Sequence, residues 1–223
     1  SGLYTPDLIL KSDCLSCFYN IPNYVIFFYK LKKFCLAMAI ASSLLAPTSG
    51  LGKELTLKIA VTSDVHGNYF PYNFITRSPG DGSLARVATR VNELRDSLGR
   101  DRVILLDNGD ILQGQPTAYY YNFIKTDAPH LTARMLKWLD YDAETIGNHD
   151  VETGHAVYDR YRKDLGSLPL LGANVIDRTT GKPYLQPYTV LDKNGIRIAV
   201  LGLLTPAIPA WLPETLCSHY HQV

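Results

Sequence analysis

Leu55, Leu57, Ile59 and Val61 alternate with Thr56, Lys58, Ala60 and Thr62, a period of two that predicts a strand with one buried face. From Ser83 the period lengthens. Leu84, Val87, Ala88, Val91, Leu94 and Leu98 fall on one helical stripe, with Ser83 placed to cap its start and Gly99 to stop it. Val103 to Leu106 is an unbroken apolar run, as expected of a strand covered on both faces. Asp127 and Pro129 open a second helical stripe through Leu131, Met135, Leu136 and Leu139. A brief strand at Ala143–Ile146 follows, then a third helix bearing Ala156, Val157, Tyr161 and Leu165, which stops at Gly166. Tyr184–Leu191 and Ile196–Leu204 are strand-like and flank Lys193-Asn194-Gly195, a strong hairpin signal. Three strand–helix units and a hairpin predict an α/β domain with a mixed sheet.

The chemistry collects after the three strands. The first is followed by Asp64-Val65-His66-Gly67-Asn68, the second by Asp107-Asn108-Gly109-Asp110, and the third by Gly147-Asn148-His149-Asp150. In open α/β sheets the carboxyl ends of the strands lie side by side, and ligands bind in the crevice beyond them. Loops far apart in the chain would therefore meet in space. Asp64 and His66 are two residues apart, so extended backbone would point both side chains the same way. Asp110 has two carboxylate oxygens with which to bridge a pair of ions, and Asn148 offers a neutral carbonyl oxygen. Alone, an Asp-x-His or a Gly-Asp turn is ordinary; three such loops in register are not.

Composition sharpens this picture. The 223 residues carry 22 basic and 21 acidic side chains, a net charge of +1, which excludes a nucleic-acid binder working by bulk positive charge. With 46% hydrophobic and 19% charged residues the chain is not of a disordered type. The N-terminal fifty residues differ from the rest. Lys30, Lys32 and Lys33 precede an apolar run from Phe34 to Leu45, followed by Ala46-Pro47-Thr48-Ser49-Gly50. That is the layout of a secretory signal peptide, and the run is too short for a membrane span of about 20 residues. Residues 1–50 are therefore expected to be a leader outside the fold, with export to the periplasm or the cell exterior. Of the four cysteines, Cys14, Cys17 and Cys35 lie in that segment and Cys217 near the end, so residues 51–213 are expected to fold without disulfides.

The three loops together resemble the signature of the calcineurin-like metallophosphoesterase superfamily: D-x-H, then G-D, then G-N-H-[DE]. Further matches narrow the resemblance to the secreted 5′-nucleotidase / 2′,3′-cyclic-nucleotide 2′-phosphodiesterase family. They are Gly109-Asp110-Ile111-Leu112-Gln113-Gly114-Gln115-Pro116, Leu139-Asp140-Tyr141-Asp142-Ala143, Gly172-Ala173-Asn174-Val175, Gly181-Lys182-Pro183-Tyr184 and Leu201-Gly202-Leu203-Leu204-Thr205-Pro206. The similarity covers about residues 55–214. It implies a mixed-sheet αββα sandwich, incomplete at the C-terminus, with residues 51–214 as the N-terminal part of the catalytic domain and 215–223 as a non-matching tail.

By that resemblance Asp64 and His66 hold one divalent cation, Asp110 bridges and Asn148 holds a second, the pair activating a hydroxide for attack on phosphorus. Mn, Zn, Fe, Co or Mg would suit oxygen and imidazole ligands. His149 would act at the departing oxygen, oriented by Glu152, with Asp150 as the alternative partner. The substrate would be a nucleotide, with no nucleic-acid polymer and no stable membrane span; another phosphate ester or a sulfur ester is the alternative within the superfamily. The family adds later histidines in a G-H-x-H motif and a nucleoside-binding domain. His219 and His221 lack the preceding glycine and are read as incidental, as are His130 and His155, taken as surface residues. The chain alone is accordingly expected to be weak or inactive, or to act as a non-catalytic metal-binding fragment.

Overall fold

The computed structural model describes residues 54–74 and 76–211, together with three short strands at Leu3–Tyr4, Asp7–Leu10 and Tyr220–Gln222. The expected signal segment and all four cysteines lie outside the described residues. The chain divides into two compact units, one of Ser1–Leu8 with Leu57–Val223 and the other of Ile9–Thr56. Of the second unit only the ends are described, and the fold is that of the first.

Its strands are β1 (Leu3–Tyr4), β2 (Asp7–Leu10, which straddles the two units), β3 (Leu55–Thr62), a small ribbon of β4 (Tyr72–Asn73) and β5 (Ser78–Pro79), and β6 (Val103–Asp107). They continue with β7 (Ala143–Thr145), β8 (Leu170–Leu171), β9 (Val175–Asp177), β10 (Tyr188–Lys193), β11 (Ile196–Leu201) and β12 (Tyr220–Gln222). The main sheet runs β1-β3-β6-β7-β8. From β3 to β8 the pairing is parallel, and β1 adds antiparallel with Leu3 opposite Thr62 and Tyr4 opposite Val61. β1 thus lies beside β3, although it belongs to the segment read as a leader. The outer edge of β3 offers unpaired backbone groups, and an extended segment satisfies them.

Helices α1 (Leu84–Leu98), α2 (Pro116–Tyr119, continued by a π turn over Tyr120–Ile124), α3 (Leu131–Trp138), α4 (Asn148–Glu152), α5 (His155–Leu165) and α6 (Ile208–Trp211) complete the unit. The α1 boundaries are those the sequence predicts: Ser83 Oγ accepts from Arg86 N–H, and Gly99 ends the helix at φ 91°. Its Leu84, Ala88, Val91 and Leu94 are buried, each leucine-sized side chain contributing about 1.5–3 kcal/mol. Arg95 reaches from the same helix to the carbonyls of Leu139 and Asp140 at 2.6 and 2.7 Å, tying α1 to the end of α3. The second helix begins later than Asp127 and Pro129 suggest. Asp127 pairs with Lys125, and His130 occupies the cap position.

In β3, Leu57 and Ala60, which point to opposite faces, are both fully buried. Both faces of the strand are thus covered at these positions. The hairpin forms as predicted. Lys193 pairs with Ile196 across Asn194 (φ 55°) and Gly195 (φ 80°), the two positive φ values of a type I′ turn. It makes a separate two-stranded sheet, docked where Ala173 N–H donates to Gly202 O and Gly172 N–H to Gln186 O. Its outer residues Tyr188 and Leu201 remain more than half exposed. Tyr220–Gln222, within the segment read as a non-matching tail, pairs antiparallel with β9, setting His221 opposite Ile176. Among the described residues no helix is long and apolar enough to cross a membrane.

Candidate metal and phosphoester site

The three loops meet because their backbones are bonded to one another at the carboxyl edge of the parallel strands. Asn108 N–H donates to Thr62 O, Asp64 N–H to Gly109 O, His66 N–H to Asp110 O and Gly67 N–H to Ile111 O, at 2.8 to 3.1 Å. His149 N–H then donates to Asp110 Oδ1 at 2.8 Å, drawing in the third loop. Contact between the second and third loops is so close that only glycine fits. A Cβ at Gly109 would stand 2.4 Å from Gly147 N, and one at Gly147 would stand 2.2 Å from Asp110 Oδ1.

Asp64 (φ 55°), His66 (φ 49°) and Asp110 (φ 60°) all hold left-handed backbone. Among the described residues only six non-glycine side chains do so, and three of them are expected ligands. Such strain persists where the surroundings enforce it, as at binding sites. It also corrects the expected geometry. β3 ends at Thr62, and Asp64 and His66 are brought together by a turn rather than by alternation along a strand.

His66, Asp110 and His149 each offer a ligand atom within 4.8 Å of the others. The His66 and His149 rings lie 5.1 Å apart. Asp64 stands beside this group, its Oδ1 3.9 Å from His66 Nε2, with an exposed side chain that accepts from Ser63 Oγ. Asn148 is half-buried in the first turn of α4, next to His149, whose N–H bonds Asp110. A donor set of imidazole, carboxylate and amide oxygen suits a divalent transition metal or magnesium.

His149 differs from His66 in what holds it. Its Nδ1 meets Glu152 Oε2 at 2.9 Å, one helical turn on, and this hydrogen bond raises its pKa. The pair is accessible, with 37% of the His149 side chain exposed. With Nδ1 engaged by Glu152, the ring has Nε2 left to give a proton or to meet a cation.

Asp150 does not serve as the alternative partner, and that expectation is corrected. It is buried. Its Oδ2 accepts from Asp110 N–H and Gly147 N–H, and its Oδ1 from Ile111 N–H and Leu112 N–H, at 2.8 to 2.9 Å. Burial raises its pKa, partly offset by the Leu112 and Gly147 N–H groups. Asp150 is the pin that locks the second loop to the third.

Calcineurin-like phosphoesterases as a family match residues 57–215 of the chain. The chain belongs to the calcineurin-like phosphoesterase family. It is 30% identical over 192 residues to the 2′,3′-cyclic-nucleotide 2′-phosphodiesterase/3′-nucleotidase of Yersinia enterocolitica, covering 79% of this chain and 29% of that protein. To the 5′-nucleotidase of Vibrio parahaemolyticus it is 33% identical over 181 residues, 78% of this chain and 30% of that one. The calcineurin-like phosphoesterase YfkN from Bacillus subtilis superposes with a TM-score of 0.65 at 27% identity, covering 74% of this chain and 53% of that structure. The chain thus spans about 30% of the length of the curated relatives it matches. Membership fits the fold, and members of this family work with divalent metals.

Several polar residues in and around the site were given no role by the sequence pattern. Asp107 lies under the site, accepting from Thr62 Oγ1 at 2.5 Å and from Gly109 N–H at 2.9 Å; burial pushes its carboxyl up to about 7. Glu144 is buried in β7 against the Tyr161 hydroxyl, its pKa raised well above the ordinary value by burial. His130, expected at the surface, is fully buried with Nε2 2.8 Å from Asn122 Oδ1. His155 is half-buried against Asp159. The signal for Asp107 was present, since it begins the second ligand-rich loop. For Glu144 and His130, no motif marks them.

Proposed function

We propose that this chain carries the catalytic site of a metal-dependent hydrolase of nucleotide phosphate esters, of the 5′-nucleotidase or 2′,3′-cyclic-nucleotide 2′-phosphodiesterase type. The observation that carries this reading is the convergence of His66 and Asp110 on a His149 ring braced by Glu152. Asp64 and His66 would hold one cation, Asp110 would bridge, and Asn148 would hold a second. Bound there, divalent cations supply Lewis-acid activation of water and of the phosphoryl group.

The remaining steps belong to the chain's own side chains. Glu152 accepts from His149 Nδ1–H, so the opposite nitrogen, Nε2, is the one free to act. As the oxygen of water bonds to phosphorus, losing its proton to solvent, and the ester P–O bond breaks, the departing oxygen takes the proton from His149 Nε2, which solvent then restores. The hydrogen bond from Nδ1 to Glu152 favours the protonated ring. Nucleotides are the proposed substrates on the strength of the relatives' names and the shared family. The basic, apolar and small-residue order of residues 30–50 supports export through a signal peptide.

Four side chains, Asp64, His66, Asp110 and Asn148, are few for two cations, and a sparse shell binds weakly. We therefore propose that the 223-residue chain alone turns over slowly. The test loads the protein with Mn, Zn, Co or Mg and offers 5′-mononucleotides, 2′,3′-cyclic nucleotides and a simple phosphomonoester, with bound metal measured in parallel. Asp110→Ala is expected to lose both metal and hydrolysis, whereas His149→Ala keeps the metal and loses turnover by about a hundredfold. Equal loss of metal in both variants would show His149 to be a ligand and sink the proton-donor role.

A further inference from the structure

Gln113 meets both imidazoles of the site. Its main-chain carbonyl oxygen lies 3.1 Å from His66 Nδ1. A carbonyl oxygen only accepts, so His66 donates from Nδ1 and turns Nε2 to the side facing Asp64. Histidines that hold metals are oriented in this way, by a hydrogen bond at the second ring nitrogen. The side-chain amide of Gln113 turns the other way and donates from Nε2 to Glu152 Oε2 at 2.6 Å. That is the same oxygen that meets His149 Nδ1 at 2.9 Å.

The placement of Gln113 is built in. On one side Leu112 N–H is bound to Asp150; on the other, Gln115 N–H donates to His66 O. Between them Gly114, at φ 127°, passes so near His66 that a Cβ would lie 2.4 Å from its carbonyl oxygen. Residues 112–115 are thus wrapped around His66. Beyond the amide lies a cavity of about 290 Å³, lined also by Tyr119, Phe123, Glu152 and Thr153. Without the amide, Glu152 would face that cavity with one partner instead of two.

We propose that Gln113 is a positioning residue for both rings: its carbonyl sets the tautomer of His66, and its amide holds Glu152 and through it the orientation of His149. The catalytic part of this inference rests on the role given to His149 above. Hydrogen bonds that orient a ligand or an acid through an intermediary typically matter by about ten- to a hundredfold in affinity or rate.

The test uses Gln113→Met, which keeps the length and removes the donor; Gln113→Asn, which keeps the amide but shortens it; Glu152→Gln; and the Gln113→Met, Glu152→Gln double variant. Imidazole nitrogens are followed by long-range ¹H–¹⁵N NMR on the metal-free chain at one fixed pH. Gln113→Met is expected to leave His66 as the Nδ1–H tautomer, since that bond uses the main chain, while shifting and broadening the His149 Nδ1–H signal. Gln113→Asn is expected to do the same in smaller measure. In the Glu152→Gln background the Gln113 change should add nothing to the His149 signal, because the two act in series. An unchanged His149 signal in Gln113→Met, or an equal further change in the double variant, would overturn the proposal. On the metal-loaded protein, kcat for a phosphomonoester should fall about tenfold in Gln113→Met with KM nearly unchanged. A protein that hydrolyses nothing would defeat the functional reading, yet the ring signals would still decide the positioning role.

Discussion

Replacing Asp150 tests whether the site is held together by one buried carboxylate. Its two oxygens accept four backbone N–H groups, those of Asp110, Gly147, Ile111 and Leu112, drawn from both of the loops that carry the expected ligands. In Asp150→Ala all four donors lose their acceptor. A buried donor left unsatisfied costs about 1–3 kcal/mol, and water entering the gap recovers part of that. The expected loss is about 4 kcal/mol, near the range found when one partner of a buried charged pair is removed. Against a typical total of about 5–15 kcal/mol, such a variant stands at the edge of folding. Asp150→Asn is the graded version. Its amide oxygen can serve one pair of N–H groups, but its NH₂ then confronts the other pair, for about 2 kcal/mol. Urea unfolding of the metal-free chain, followed by circular dichroism with EDTA present, measures both. The order should be wild type, then Asn, then Ala. A loss under about 1 kcal/mol in Asp150→Ala would refute the reasoning.

A pH dependence follows from His130, whose burial lowers its pKa from 6.5 to about 4. Between those values the unfolded chain binds the proton and the folded chain does not, so the His130 contribution to stability is lost as pH drops from 6.5 towards 4, while Asp107, its carboxyl raised to about 7, contributes with the opposite sign over the same range. His130→Gln should remove the His130 part, so that in urea titrations at about pH 4 to 7 stability falls less, or rises more, with decreasing pH than in the wild type; an unaltered slope would mean the ring titrates normally. Two glycines with similar backbone separate conformational strain from steric exclusion. Gly195→Ala (φ 80°, open space around its Cβ) should cost only about 1 kcal/mol for left-handed backbone. Gly109→Ala (φ 87°) meets Gly147 N at 2.4 Å and should cost at least about 3 kcal/mol and weaken metal binding; similar losses in thermal unfolding would show that the loops can separate.

Much of this was legible in the chain because it rests on local rules. The capped stripe of α1, the Asn194-Gly195 turn and the order of strands and helices follow from periodicity and from residues that tolerate special φ values. The list of ligand-bearing loops was legible too, since each begins where a parallel strand ends. What pattern could not supply were bonds made across long stretches of chain. Asp150 reads as an ordinary helix-start carboxylate, and its Gly147 N–H bond is of that local kind. Its bonds to residues 110–112 exist only because two parallel strands place those turns side by side. Asp64 and His66 invited an extended reading, since nothing in an Asp-x-His triplet records that Asp110 O and Gly109 O will bend it into left-handed backbone. His130 carried no sign of burial at all.

These features share one physical cause. A cation site asks several carboxylates and imidazoles to face one another, an arrangement that repels itself and strains the backbone when no cation is present. The fold therefore fixes the loops by means that do not depend on the ligands. Main-chain bonds join Thr62, Asp64, His66 and Gly67 to residues 108–111, glycines at 109 and 147 admit close contact, and Asp150 clamps the second loop to the third. The side chains that would do chemistry, Asp64, His66, Asp110 and His149, are left accessible or half-buried, while those that hold the frame, Asp107 and Asp150, are buried. That division implies that substitutions in the frame act on stability and site together, whereas His149 and Glu152, bonded to each other on the exposed side, can be changed with the frame intact.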